Sequence, residues 1–179
     1  MKIYFDGCAK TCGTALKHDI KQRYSTLLCD KLGAEEYNIA RDGSSNRRLV
    51  RNLIEHDLSN YDLFIIQMSK RDRFEWFDKK KNEWNNVSRS RKIYPLTHGH
   101  CWEYYYNNIY SDEMGIIDEK ISFAAIKNLL GDKKHVIISI SNSECGVPVD
   151  IIYRKGKDFT SNFGIDRHKM IADNILDIL

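Results

Sequence analysis

The 179 residues suffice for one domain with a sizeable core, and 42% hydrophobic with 30% charged residues describes an ordinary soluble globular chain rather than a disordered one. The net charge of +3 is too small to argue by itself for nucleic acid, and no apolar run approaches the length of a membrane span. Five cysteines, an odd number without C-x-x-C spacing, give no disulfide framework; with no signal peptide in MKIYFDGC, a reduced, cytoplasmic setting is expected.

Lys2 to Asp6 reads as a buried strand ended by a glycine turn. Thr14 to Leu32 carries Leu16, Ile20, Tyr24, Leu27 and Leu28 at helical spacing, and Gly33 is its C-terminal stop. Cys29 falls on the apolar face of that helix, as a core residue. Glu36 to Ala40 is a second short strand. Gly43-Ser44-Ser45-Asn46 is a turn of helix-capping residues, and Leu49, Val50, Leu53, Ile54 and Leu58 continue it as an amphipathic helix. Asp62 to Gln67 is a third strand, apolar almost throughout, as a parallel strand buried on both faces must be.

Lys70 to His100 breaks this rhythm and reads as an insertion at the carboxyl end of the third strand. From Lys70 to Lys92 it holds nine Lys/Arg against four Asp/Glu, so the rest of the chain is slightly acidic. Trp102 to Tyr110 and Asp118 to Leu130 read as helices, the second capped by Asp118. His135 to Ile140 is a fourth strand, Val149 to Tyr153 a fifth, and Lys169 to Leu179 a closing helix. Strands alternating with helices predict an α/β fold with a parallel sheet covered on both faces, in a single domain spanning residues 1–179.

In such a sheet the loops at the carboxyl ends of the strands converge on one edge. Here they are Asp6 to Gly13, Arg41 to Asn46, Gln67 to Trp76, and Asp166-Arg167-His168 before the closing helix. The first two offer backbone N–H groups at helix starts, which suit a developing oxyanion. His168 is the one histidine after the fourth strand, and Asp166 stands two residues from it. The first loop lacks a hydroxyl where chemistry would want one.

Gly7-Cys8-Ala9-Lys10-Thr11-Cys12-Gly13 resembles the first block of the SGNH (GDSL-type) hydrolases, G-D-S-x-T-x-G, and most closely the G-C-S-x-T-x-G form of phage and viral-type members. The stretches "LLCDKLGAEEYNIARDGSSNRRLVRNLIE", "DLFIIQMSKRDRFEWFD" and "HKMIADNIL" resemble that group's later blocks in the same order. The resemblance implies a three-layer α/β/α, flavodoxin-like fold with a sheet of about five strands. It implies metal-free, cofactor-free hydrolysis of a small ester, acetyl or acyl on a polar substrate such as a sugar. It puts Ala9 at the nucleophile position, Gly43 at the second-block oxyanion donor, and Ser69 where many relatives have Asn. Asn46 and Arg73 join these as substrate contacts, Arg73 beside the expected pocket mouth. His168 is assigned as base and Asp166 as its orienter; an alignment on the closing helix would instead put Asn162 at the base position.

Ala9 has three readings: an engineered Ser→Ala change, a natural loss leaving a binding protein, or a structural turn. The rival function is accordingly a non-catalytic binder that holds an anionic ligand, nucleotide or nucleic acid in the same cleft. Cys8 and Cys12 are read as packing rather than a metal pair, and His98, His100 and Cys101 make a weak zinc signal. "FEWFD" and Trp102 to Tyr106 are read as stacking surface or as aromatic core. Arg71 and Lys79 to Lys81 are anion contacts or a wet loop. The oligomeric state is left open.

Overall fold

The computed structural model describes residues 1–16, 19–89, 99–140, 146–153 and 164–179. His98, Cys145 and Asn162 lie outside the described residues. Five strands, β1 (Lys2–Asp6), β2 (Glu35–Asn38), β3 (Leu63–Met68), β6 (His135–Ile140) and β7 (Ile151–Tyr153), form one sheet in the order β2-β1-β3-β6-β7. Every pairing in it is parallel. Two further strands, β4 (Arg73–Asp78) and β5 (Glu83–Ser88), form a separate antiparallel hairpin.

Strand alternation splits the core into two layers. Ile3, Phe5, Leu63, Ile65, Val136 and Ile138 face α2 (Tyr24–Leu32) and α6 (Ile165–Ile178), where Leu28, Cys29, Ile171 and Ile175 meet them. Tyr4, Phe64, Ile66 and Ile137 face the other way, onto Leu49 and Leu53 of α3 (Asn46–Glu55) and Ile126 and Leu130 of α5 (Asp112–Leu130). The chain therefore has the three-layer α/β/α arrangement, and β1 and β3 at its centre are apolar on both faces because both are covered.

Several boundaries differ from the sequence expectation. The expected helix from Thr14 to Leu32 is broken into α1 (Ala9–Cys12), single turns at Thr14–Leu16 and Ile20–Gln22, and α2. Gly13 takes the left-handed conformation (φ 80°) and Arg23 an extended one, so neither can propagate a helix. α5 starts at Asp112, six residues before the expected cap, because Ser111 accepts the Met114 N–H. The closing helix begins at Ile165, so Asp166 and His168 are inside it rather than in a loop before it. Gly33 ends α2 with φ 59°, as expected.

The insertion is structured in its first part. One face of the hairpin packs on α3, where Arg51 makes two hydrogen bonds to the buried Glu75 (3.1 and 2.9 Å). Phe74 and Trp76 turn toward Trp102 on α4 (Gly99–Asn108), with ring centroids 6.0 and 5.7 Å apart, and Tyr105 completes the cluster. These rings are half-buried against one another; Phe77 and Trp84 are the exposed aromatics of the hairpin. No helix among the described residues is long and apolar enough to cross a membrane.

Ile65 is fully buried at the centre of the sheet. Ile65→Ala is expected to cost about 2–5 kcal/mol in urea unfolding, with an unchanged m-value, because neighbours on both sides hold the cavity open.

Candidate active site

The carboxyl ends of β1 and β3 bring the first and third loops together, and Gln67 joins them. Its Oε1 accepts from the Cys8 N–H (3.4 Å), the Thr11 N–H (3.2 Å) and the Thr11 hydroxyl (2.6 Å). Its Nε2 donates to Cys8 Sγ (2.9 Å). Since the Thr11 hydroxyl hydrogen goes to Gln67, Tyr24 OH donates to Thr11 Oγ1 (2.8 Å), and the relay runs from α2 through the turn to β3. Gly7 is required by this closeness: a Cβ there would lie 2.5 Å from Thr11 Oγ1 and 2.7 Å from Gln67 Cβ. Asn38 donates to Thr11 O (3.0 Å) and ties the turn to β2. Ala9 is the first residue of α1, half-buried, so its methyl stands at the edge of a turn braced from three sides.

Beneath the turn lies Asp6, fully buried. It accepts from Gly7 N–H (2.7 Å), Arg48 Nη1 (2.9 Å) and Asn52 Nδ2 (2.7 Å). Burial raises its carboxyl to about 6, against the lowering effect of Arg48 and the hydrogen bonds. Arg48 also donates to Ser44 Oγ (3.2 Å) and Ile39 O (2.8 Å), so the same guanidinium fixes the second loop.

The second and third loops form one network. Asn46 and Ser69 exchange hydrogen bonds, Ser69 N–H to Asn46 Oδ1 (2.7 Å) and Asn46 Nδ2 to Ser69 O (3.3 Å). The Ser69 hydroxyl donates to Ser44 O, and Arg73 Nη1 reaches both Ser44 O (3.2 Å) and Ser69 Oγ (3.0 Å). Gly43 turns the chain into α3 with φ 79°. The structure thus gathers Asn46, Ser69 and Arg73 beside the Gly43 turn. It also commits the Ser69 hydroxyl and the Asn46 amide to backbone partners, so these two hold the loops rather than offer a hydrogen outward.

The expected Asp166–His168 pair does not form as an orienting dyad. Two residues apart on a helix, their side chains diverge: Asp166 is exposed and His168 fully buried. His168 Nδ1 accepts the Tyr24 backbone N–H (3.1 Å) and the imidazole stacks on the Tyr24 ring (centroids 6.1 Å). An orienting carboxylate would need a hydrogen on that same Nδ1. Burial, and then the charge of Lys10, lower the His168 imidazole to about 4. His56 and His135 sit elsewhere, one after α3 and one at the amino end of β6.

Lys10 was not singled out in the sequence beyond its place in the Gly7–Gly13 pattern. Its ammonium is pulled below the usual lysine range by burial, with the charges of Arg167 and Lys70 adding and those of Cys8 and Asp42 opposing. Gln67 and Asp6 were not singled out either. Their signal was a polar residue at the carboxyl end of an otherwise apolar strand, a place where side chains meet loops rather than core. Cys12 Sγ contacts Thr14 Oγ1 (2.8 Å), and no group of three or more metal-ligating side chains occurs among the described residues.

No family model and no curated protein matches the sequence. Solved structures do match. A family two carbohydrate esterase from Clostridium thermocellum, in complex with cellohexaose, superposes with a TM-score of 0.56 at 12% identity, over 98% of this chain and 62% of that one. An acetyl xylan esterase from the rumen bacterium Butyrivibrio proteoclasticus gives 0.54 at 10% identity, over 99% and 63%. A carbohydrate esterase whose active site displays divergent catalytic and non-catalytic binding functions gives 0.58 at 12% identity, over 98% and 67%. The fold is that of the SGNH hydrolases. At such identities the likeness is one of fold, and this chain spans about 62–63% of the length of the first two of these neighbours.

Two outcomes test the site. Gln67→Leu is expected to cost about 2–4 kcal/mol in chemical unfolding, since it leaves the buried N–H groups of Thr11 and Cys8 without their acceptor. For His168, the folded imidazole titrates below its ordinary value of 6.5, so its contribution is complete above 6.5 and is lost as pH falls toward about 4. Asp6, raised to about 6, gains stability over the same fall in pH, so the His168 loss, roughly 2–3 kcal/mol, is read as a difference between two chains. In thermal melts at stepped pH, His168→Gln, which can still accept from Tyr24, should gain in melting temperature relative to the unaltered chain as pH falls from 6.5 toward 4.

Proposed function

We propose that the chain is an SGNH-type acyl-ester hydrolase frame in a silent form. It binds a small acetyl or acyl ester carried on a polar, sugar-like substrate, and turns it over poorly because Ala9 stands at the nucleophile position. The observation that carries this reading is the bracing of the first turn by Gln67, Thr11, Tyr24 and Asn38 around a residue that offers only a methyl. The fold shared with carbohydrate esterases supports the choice of an ester on a sugar-like body.

In this reading the oxyanion contacts are backbone N–H groups of the first turn and of Gly43. Ser69, Asn46 and Arg73 hold the loops around the ester, and Arg73 lines the third-loop wall. Asp166 has no part in the chemistry, and His168 lies behind the turn with its Nδ1 engaged. Restoring the hydroxyl alone therefore gives a nucleophile with a weak partner.

Ala9→Ser is expected to raise hydrolysis of a short-chain activated ester roughly 10- to 100-fold over the Ala9 chain, far below a full triad enzyme. The Ala9 chain itself should bind acetylated oligosaccharides in calorimetry. No gain from Ala9→Ser together with no binding of acetylated sugars would sink the reading. If the gain appears and vanishes on adding His168→Gln, the imidazole is the base after all.

A second reading, an anion binder at the same loops, has one observation in its favour: Lys10, next to Ala9 in the chain, feels the charges of Arg167 and Lys70. It requires ligand binding that weakens steeply with salt and is indifferent to Ala9→Ser.

A further inference from the structure

α2 and α6 begin together beside the first turn. Tyr24, at the start of α2, gives its backbone N–H to His168 on α6, and its hydroxyl reaches Thr11 Oγ1 (2.8 Å). The segments leading into this contact carry apolar side chains that stay in water. Ile165, the first residue of α6, lies one turn before His168 and is 37% exposed. Ile20 opens the single turn that leads into Tyr24 and is 49% exposed. That turn packs against α6. Leu16, half-buried, sits against Gly13 at the end of α1, and its carbonyl accepts the Asp19 N–H (2.9 Å). The core of this layer is closed without these three, by Leu28, Cys29, Ile171 and Ile175. Leu16, Ile20 and Ile165 therefore trace an apolar strip from α1 to α6, on the α2 side of Ala9.

Size and charge select the occupant of the strip. A stable protein pair buries about 800 Å² on each partner, far more than three partly exposed side chains offer. An anionic membrane surface would meet Asp19 and Asp166, both exposed and each next in the chain to one of the isoleucines. A single alkyl chain needs only a narrow apolar strip. The surroundings of Ala9 also divide by polarity: Ser44, Ser69 and Arg73 form their hydrogen-bonded network toward α3, and the apolar strip lies toward α2. We propose that the strip seats the acyl chain of the ester, so that the substrate carries a medium-length alkyl chain rather than acetyl; this rests on the silent-hydrolase reading and narrows its acyl group. Acyl chain and sugar-like body then leave Ala9 in opposite directions, each along surface of its own polarity.

Calorimetry of the unaltered chain with 6-O-octanoyl glucose and 6-O-acetyl glucose, both kept below micelle formation, tests the seat without turnover. The octanoyl ester should bind tighter by about tenfold or more, since each methylene fully removed from water adds about fourfold. Ile20→Ser combined with Ile165→Ser should bring the ratio of the two affinities to about one, with the melting temperature unchanged because both side chains are exposed. No preference for the octanoyl ester overturns the proposal, and so does a preference that the double substitution leaves intact. Self-association, or binding to anionic vesicles, that the double substitution abolishes also overturns it, by giving the strip another occupant. In Ala9→Ser the same preference should appear in kcat/KM. An octanoyl preference in calorimetry without any hydrolysis by Ala9→Ser supports the alkyl seat and overturns the hydrolase reading alone.

Discussion

The arrangement of the loops depends on one buried ion pair. Asp6 ends β1, beside the central strand, with its carboxylate wholly out of water, a position that costs several kcal/mol unless the charge is met. Arg48 meets it, and Asn52 and the Gly7 N–H satisfy the remaining lone pairs. Arg48 then has hydrogens left for Ile39 O and Ser44 Oγ. One guanidinium thus sets β1, the end of β2 and the turn into α3 at fixed distances. Removing either partner would leave an uncompensated charge under the first two loops, so the spacing between Gly7 and Gly43 is a consequence of that electrostatic balance.

Above this base the polar groups of the site are turned inward. Gln67 spends its carbonyl on the first turn, Ser69 its hydroxyl on Ser44, Asn46 its amide on Ser69 and His168 its Nδ1 on Tyr24. Each of these bonds rigidifies the cleft, and each removes a group that hydrolysis could have used. Under the proposed function, loops braced in this way hold a ligand better than they activate a nucleophile. Electrostatic preorganisation by backbone N–H groups survives such losses, because it needs no side chain.

The strands were legible because burial on both faces forces unbroken apolar runs: Lys2 to Asp6 and His135 to Ile140 match to the residue. Helix boundaries were less so. Leu16, Ile20 and Tyr24 keep helical spacing across Thr14 to Leu32, yet Arg23 is extended and interrupts it, and nothing in the side chain of Arg23 announces that. His168 was picked out as an acid–base group by residue type. Its environment depends on Tyr24, 144 residues away, a contact no local pattern contains. The turn of Gly7 to Gly13, by contrast, was legible as a strand-to-helix junction, because the glycines that punctuate it are a local signal.

The basic, aromatic insertion shows how an aperiodic stretch becomes structure. Alternation along β4 divides its residues between two neighbours. Glu75 goes to Arg51 of α3, and Phe74 and Trp76 go to Trp102. Arg73 and Asn86, at the base of the hairpin, reach Ser44 O (3.2 Å) and the Ser45 N–H (3.3 Å). The hairpin is therefore anchored at both the site and the core, and its base is a wall of the cleft. Arg73 is drawn into the loop network, whereas Lys79, Lys80, Lys81 and Arg89 are exposed. The charge that made the segment conspicuous in the sequence is thus mostly solvated surface, while its aromatic residues, which looked like a ligand platform, supply the packing that fixes that one arginine beside Ser69.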